Sequence, residues 1–148
     1  MSAISRWASK RVVARGWFRF TPTPMSDRQS ESSVDELTGL VRAFADNRDW
    51  QQFHTVRNLV LALIGEAGEL AAEFQWIGDE NIFSALQDPD KRKAVGSELA
   101  DVFIYLLRLA DVTGINLAEE LKKKIAINEE RYPANRARGS AAKYTSYE

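Results

Sequence analysis

The chain has 148 residues, of which 45% are hydrophobic and 28% are charged, and its formal net charge is −1 at pH 7. This length suffices for one domain with a core, the charge provides no basic field that would favour nucleic acid, and no apolar run approaches the roughly 18 residues of a membrane span. The absence of cysteine excludes disulfides and thiol chemistry, and the single histidine, His54, excludes a multi-histidine metal site within one chain.

The first 32 residues are basic and polar and predict a disordered tail. Residues 1–25 contain five basic side chains and no acidic ones. An Arg- and Ser-rich leader without acids is also typical of mitochondrial presequences. If this segment is only a disordered tail, we expect a cytoplasmic protein. If residues 1–24 are a genuine leader, we expect a mitochondrial one. A further interpretation is that translation begins at Met25.

Hydrophobic periodicity predicts a first helix at about 34–46 and a second at about 52–77. Ser33 and Glu36 fit a capping box that would begin the first helix. Gly78 is a suitable residue to end the second.

Two more helices are predicted further along the chain, at about 89–113 and 117–131. Asp88 can cap the third, with Pro89 at its first position, where a missing N–H costs nothing. Asn116 can cap the fourth.

No segment predicts a β-strand, so the expected fold is all-α. It is a four-helix bundle over residues 33–133, followed by a basic C-terminal tail at 134–148. The two long helices are apolar nearly all round in "LVLALI" and "VFIYLL". A single chain has too few partners to bury these stretches, so we expect the bundle to be completed by oligomerisation, at least as a homodimer.

Each long helix carries two acidic residues three positions apart within apolar sequence: Glu66 and Glu69 in the second, Glu98 and Asp101 in the third. If the helices pack antiparallel, the four carboxylates meet and repel one another unless they are neutralised. Protonation is one solution and a divalent cation is the other. An all-oxygen set suits Mg²⁺, Mn²⁺ or Ca²⁺. The alternative is that each pair lies on a solvated helix face.

The pattern E-x-x-E, followed after 28 residues by E-x-x-D, resembles the all-α nucleoside triphosphate pyrophosphohydrolases of the MazG type. "RDWQQFHTVRNLVLALIGEAGELAAEFQW", "ELADVFIYLLRLA" and "KIAINEERYPANRARGSAAKY" are similar to blocks of the dCTP pyrophosphatase branch. The resemblance covers roughly residues 36–145. The linker at 78–90 departs from the branch pattern, and Val41 stands where some members have histidine.

The resemblance implies Mg²⁺-dependent hydrolysis of a nucleoside triphosphate to the monophosphate and pyrophosphate by a homodimer or tetramer. Mn²⁺ is an alternative metal. By motif position, Glu66, Glu69, Glu98 and Asp101 would hold the cation, and Glu66 or Glu69 would act as the base.

The resemblance also assigns residues around the substrate. Trp50, His54 and Trp76 would line the base pocket, although each is also a candidate for a core or interface contact. Tyr105, one turn after Asp101, could bond a sugar or phosphate, or simply pack in the core. On the fourth helix the expected substrate contacts are Lys124, Asn128 and Tyr132, and a solvated face is the alternative. In the tail the expected contact is Lys143, and a disordered tail is the alternative.

The predicted function is therefore a house-cleaning pyrophosphohydrolase acting on dCTP, modified dCTP or a related dNTP. It would bind a nucleoside triphosphate and neither nucleic acid nor a membrane. Two alternatives stay open: a broad-specificity NTP pyrophosphatase, and a non-enzymatic helical oligomerisation or regulatory module.

Overall fold

The computed structural model describes residues 33–146, and within that range every regular element is helical. Residues 33–146 contain six α-helices and two short 3₁₀ turns, at Asp79–Asn81 and Tyr144–Ser146. The helices are α1 (Val34–Asp46), α2 (Val56–Ala72), α3 (Ile82–Ala85), α4 (Pro89–Thr113), α5 (Leu117–Arg131) and α6 (Ala134–Ala137). The predicted all-α class is confirmed, whereas the N-terminal tail lies outside the described residues.

Helix α1 begins with the predicted capping box. The Ser33 hydroxyl accepts from the Glu36 amide at 3.2 Å, and the Glu36 carboxylate accepts from the Ser33 amide at 2.7 Å. After the helix, a turn brings Trp50 back so that its amide donates to the carbonyl of Ala45. Asp49 adopts a φ of +52° in this turn, a left-handed conformation that aspartate tolerates better than most residues.

Helix α2 is shorter than the predicted 52–77 at both ends. It begins after Thr55, whose hydroxyl accepts from the Asn58 amide at 3.2 Å. At the other end, the amides of Phe74 and Gln75 bond to carbonyls three residues back, which tightens the chain into turns before Gly78. Gly78 therefore does not end the helix. The Lys91 ammonium of α4 donates to the Glu73 carbonyl in this segment.

Helix α4 begins and ends as predicted. The Asp88 carboxylate accepts from the amides of Asp90 and Lys91, and Pro89 is the first residue of the helix. Gly114 ends the helix with a φ of +69°, which glycine adopts without a steric cost. Asn116 then accepts from the Glu119 amide at 3.1 Å near the start of α5.

The chain divides into two compact units, and the first comprises residues 32–120. Its core is the packing of α4 against α2 and α1. Leu59 and Leu107 are the largest fully buried side chains, each 1% exposed. His54, before α2, contacts Arg108 late in α4, and Glu73, after α2, contacts Lys91 early in α4. Helices α2 and α4 therefore run antiparallel.

The described part of the other unit, residues 121–146, contains most of α5 and the segment after it. Tyr132 packs edge-on against Tyr144, with 6.2 Å between ring centroids. The guanidinium of Arg131 lies 5.2 Å from the Tyr144 ring centroid, so this segment has contacts of its own. The division of the chain at residues 33–133 and 134–148 stays a prediction.

Replacing Thr55 by alanine should destabilise the fold by about 0.5–2 kcal/mol, because the substitution removes the hydroxyl that caps α2. Urea denaturation of the full chain would measure the change. Thr55→Ser is the matched control, since it keeps the hydroxyl and should cost far less. Equal losses for both variants would contradict the cap at this position.

Candidate active site

Carboxylates of α2 and α4 converge where the two helices cross. One oxygen each of Glu66, Glu69 and Glu98 lies within 4.8 Å of the others. Glu69 is exposed, whereas Glu66 and Glu98 are half-buried. Asp101 is close enough to act electrostatically on both Glu66 and Glu98. We refer to these four residues as the acidic cluster.

The carboxylates of the acidic cluster repel one another and are partly desolvated. Desolvation raises the pKa of Glu66, and the charges of Glu69, Asp101 and Glu98 add to the effect. Desolvation also raises the pKa of Glu98, reinforced by Glu69, Asp101 and Glu73. Both shifts mean that the ionised cluster is unfavourable in the folded chain.

Glu73, the third glutamate on this side of α2, has a different environment. Its carboxylate lies 2.7 Å from the Lys91 ammonium, and both side chains are about a quarter exposed. The same lysine donates to the backbone carbonyl of Glu73. Glu73 therefore has a cation of the protein as its partner, whereas the acidic cluster has no comparable cation among its contacts within residues 33–146.

The acidic cluster fits a hard divalent cation. One carboxylate oxygen of Glu98, Oε2, is buried and accepts no hydrogen bond from the described residues. A buried oxygen in that state is costly unless an unseen partner occupies it. With oxygen donors only, the set suits Mg²⁺ or Mn²⁺ better than zinc, which favours nitrogen and sulfur ligands.

A cavity of about 270 Å³ opens beside the cluster. Glu66 and Asp101 form its acidic end. Another part of its lining is aromatic, where Trp50 contacts Phe44 and His54 edge-on, with ring centroids 5.7 and 6.2 Å away. The complete lining is Val41, Phe44, Ala45, Trp50, His54, Glu66, Asp101, Ile104, Tyr105 and Arg108. The cavity can therefore accept a molecule with a flat apolar part and an anionic part that reaches a cation.

The structure thus brings together seven of the predicted site residues in the first unit. Glu66, Glu69, Glu98 and Asp101 form the acidic cluster, and Trp50, His54 and Tyr105 line the adjoining cavity. Trp76 lies in the turns after α2, with a side chain 88% exposed, and does not line the cavity. Its role stays a prediction.

The other four predicted residues belong to the second unit. Lys124 is exposed and Asn128 is half-buried on α5. Tyr132 follows that helix, and the Lys143 ammonium lies 5.9 Å from the Tyr144 ring centroid. Their contacts with a substrate stay predictions.

Three polar residues that the sequence did not single out support the cavity. Arg108 is 6% exposed and donates from Nε to His54 Nδ1 at 3.0 Å. Its other contact is Asp111 Oδ2, 2.5 Å from Nη1, and Asp111 also accepts from Arg42 Nε at 3.0 Å. An arginine inside "IYLLRLA", with an aspartate three residues later, was the available signal.

The described residues are all helical, with two acidic pairs on antiparallel helices and an aromatic cavity beside them. Known proteins with a similar sequence identify the class of protein that has this arrangement. The model of the MazG-like family matches residues 64–146. This chain belongs to the MazG-like family.

Curated relatives match most of the chain. The protein named dCTP pyrophosphatase 1 from Homo sapiens is 43% identical over 134 residues, which cover 90% of this chain and 74% of the relative. The Mus musculus protein of the same name is 43% identical, covering 86% and 71%. The Bos taurus protein is 45% identical, covering 78% and 69%.

This chain is also similar to a protein of known structure. The crystal structure of a pyrophosphatase from Archaeoglobus fulgidus matches with a TM-score of 0.64 and 37% identity. The match covers 72% of this chain and 97% of that protein. Within residues 33–146, no helix is both long and apolar enough to cross a membrane.

Replacing Glu98 by glutamine should raise the melting temperature of the metal-free protein at pH 7.5. The pKa of Glu98 is raised in the folded state, so its ionised form opposes folding above that pKa and the penalty disappears as the pH falls below it. The gain should therefore shrink on acidification towards pH 4. Thermal unfolding by circular dichroism would measure both effects.

Glu80→Gln is the control for this prediction, because Glu80 lies in the linker after α2 and is not among the charges that raise the pKa of Glu98. It should give no gain at pH 7.5. A gain of the same size from Glu80→Gln, or none from Glu98→Gln, would contradict the crowding of the cluster.

Proposed function

We propose that this chain is a nucleoside triphosphate pyrophosphohydrolase that converts dCTP, modified dCTP or a related dNTP to the monophosphate and pyrophosphate. Such an activity removes unwanted nucleotides from the precursor pool. The observation that carries the proposal is the convergence of Glu66, Glu69 and Glu98 beside an aromatic cavity. Membership of the MazG-like family and the names of the curated relatives support it.

The acidic cluster is the proposed holder of Mg²⁺, with Mn²⁺ as an alternative. Glu66, Glu69, Glu98 and Asp101 would be its ligands. Bound there, the ion supplies neutralising charge for the phosphate oxygens of the substrate. Relief of the repulsion within the cluster favours cation binding.

Hydrolysis then requires a water molecule to attack the α-phosphorus while the bond to the bridging oxygen breaks and pyrophosphate leaves. A carboxylate takes the proton of that water. Glu66 and Glu69 are the two candidates for this base. Glu66 lines the cavity, which favours it as the group beside the attacked phosphate.

The aromatic part of the cavity is the proposed base pocket. Trp50 offers a ring face or edge to a planar base, a contact worth roughly 1–3 kcal/mol. Tyr105 lines the same cavity and is the proposed contact to the sugar. Val41, the apolar residue at the position where some family members have histidine, also lines it, so the choice of base has to be measured. Trp76, Lys124, Asn128, Tyr132 and Lys143 remain the proposed additional substrate contacts.

A panel of dNTPs, including 5-methyl-dCTP, should show Mg²⁺-dependent release of pyrophosphate and monophosphate, with cytosine nucleotides preferred. Glu69→Gln should lower kcat about 10²–10⁴-fold, as expected for loss of a base or of a cation ligand. Ion-exchange chromatography of the nucleotide products over time would measure the substrate preference and the kcat. Glu80→Gln, in the linker after α2, is the matched control and should keep full activity.

The panel separates the alternatives. Equal cleavage of all NTPs indicates the broad-specificity enzyme, and no cleavage with any divalent ion indicates a non-enzymatic helical module. Among Glu→Gln variants, one that loses turnover but keeps Mg²⁺-dependent thermal stabilisation identifies the base. Full activity of Glu69→Gln would refute its assignment.

The bundle is proposed to be completed by a second copy of the chain, as a homodimer or tetramer. Val60, Leu61 and Ile64 on α2 are 38%, 61% and 63% exposed. A Cβ added to Gly65 or Gly68 would meet no atom within 4 Å, so packing within the described residues does not explain these glycines. A further helix against this face would bury the apolar side chains and use the space at the glycines.

Leu61→Lys should shift the protein to a smaller species, because it places a charge on the exposed apolar face of α2. Sedimentation equilibrium over a range of concentrations would measure the mass. Arg57→Lys on the same helix is the control and should leave the mass unchanged. A wild-type protein that is monomeric at all concentrations would overturn the oligomer.

The cytoplasm is the proposed compartment, since a chain without cysteine suits a reducing environment. A mitochondrial location is the alternative if residues 1–24 act as a leader.

A further inference from the structure

The single histidine of the chain is held by an arginine, and this contact determines where its proton lies. Arg108 donates from Nε to His54 Nδ1 at 3.0 Å. A guanidinium has only donors and does not deprotonate in proteins, so Nδ1 must be the bare, accepting nitrogen. A neutral imidazole protonated at one nitrogen then carries its hydrogen on Nε2.

Arg108 is itself fixed on its other side. It is 6% exposed, and Nη1 bonds to Asp111 Oδ2 at 2.5 Å. Arg42 of α1 donates from Nε to Asp111 Oδ1 at 3.0 Å. Hydrogen bonds from Arg42, together with the charges of both arginines, hold the pKa of Asp111 below its usual range, so the carboxylate stays ionised. The chain Arg42–Asp111–Arg108–His54 thus links α1, α4 and the turn before α2.

The two ends of His54 face different surroundings. Nδ1 is occupied by Arg108, and the described residues offer Nε2 no hydrogen-bond partner. His54 lines the 270 Å³ cavity beside Trp50. A neutral Nε2–H in a partly aromatic cavity is a donor without an acceptor, and a polar group in that position gives specificity when a ligand supplies the partner.

We infer that Arg108 is a positioning residue for substrate choice: it makes His54 a neutral hydrogen-bond donor that selects a nucleobase with an acceptor on the facing edge. The inference rests on the proposed function for the identity of the ligand, while the hydrogen bond itself stands on the geometry. The carbonyl oxygen or unprotonated ring nitrogen of cytosine has the required chemistry. Tryptophan contacts alone accept any planar base and carry no such selection.

The electrostatics around the ring agree with this inference. Desolvation lowers the pKa of His54, and the positive charge of Arg108 lowers it further, so the neutral form is favoured at neutral pH. The ionisable groups that line the same cavity are Glu66 of α2 and Asp101 and Tyr105 of α4. None of them is needed to hold the proton on Nε2, because Arg108 already determines the state of Nδ1.

The direct test is ¹⁵N NMR of full-length protein labelled at histidine. Since the chain has one histidine, a single pair of imidazole nitrogen signals reports on it. At pH 7.5 the expected spectrum has a protonated Nε2 and a bare Nδ1. A proton on Nδ1, or an imidazolium, would overturn the inference whether or not the protein is active.

Arg108→Met supplies the kinetic test with the nucleotide that the panel identifies. Loss of the positioned donor should raise KM about tenfold while kcat changes by less than about twofold. Inhibition by pyrophosphate, which has no base, should be unchanged. Arg92→Met, an exposed arginine on the same helix, is the matched control and should alter neither constant.

A double-mutant cycle with His54→Gln separates positioning from direct contact. If Arg108 acts through His54, adding Arg108→Met to His54→Gln produces no further rise in KM. A further tenfold rise would mean that Arg108 contacts the substrate itself and would overturn the inference.

If Arg108→Met does not fold, Arg108→Lys replaces it. Lysine keeps the positive charge but lacks the forked guanidinium that joins His54 to Asp111, so the KM of this variant should still rise. If no nucleotide is hydrolysed, the proposed function is refuted, but the inference about the His54 proton is not, because the NMR result is independent of activity.

Discussion

The repulsion between carboxylates of α2 and α4 is the constraint on which the site depends. Three of them approach within 4.8 Å of one another at a helix crossing where other positions are apolar. A pair of helices selected for stability alone would place neutral side chains there. The folded chain instead tolerates raised pKa values for Glu66 and Glu98 and a buried, unbonded oxygen of Glu98. Binding of a cation, as proposed above, would remove this cost.

The surroundings of the acidic cluster explain why the charges stay in place. Lys91 pairs with Glu73 one turn away but does not reach the cluster, so the protein's own cation does not compete with a metal. Leu59 and Leu107, both fully buried, hold α2 and α4 together. The antiparallel arrangement then aligns one acidic pair with the other. Stability is provided by the apolar contacts, and the electrostatic cost is confined to the crossing.

The cavity combines two recognition chemistries at a short distance. Its acidic end can hold a cation that binds phosphates, and its aromatic end, with Trp50 and His54, can hold a base. A nucleoside triphosphate has the same two parts, a base and an anionic phosphate chain. Arg108 lines the cavity as well, and it joins His54 to Asp111. In the proposed function, base selection and phosphate binding fall to different residues.

Local sequence signals determined much of this protein. The capping box at Ser33, the proline after Asp88 and the glycine at 114 predicted the limits of α1 and α4, because caps depend on the nearest few residues. The two acidic pairs identified the cluster, since spacing along a helix places them on one face. Only the tertiary structure showed that α2 ends at Ala72, well before Gly78, in a segment that Lys91 of another helix contacts. It also revealed the network from Arg42 to His54, whose members are up to 69 residues apart and share no local pattern. Contacts of that kind arise when helices pack, and periodicity within a single helix carries no information about them.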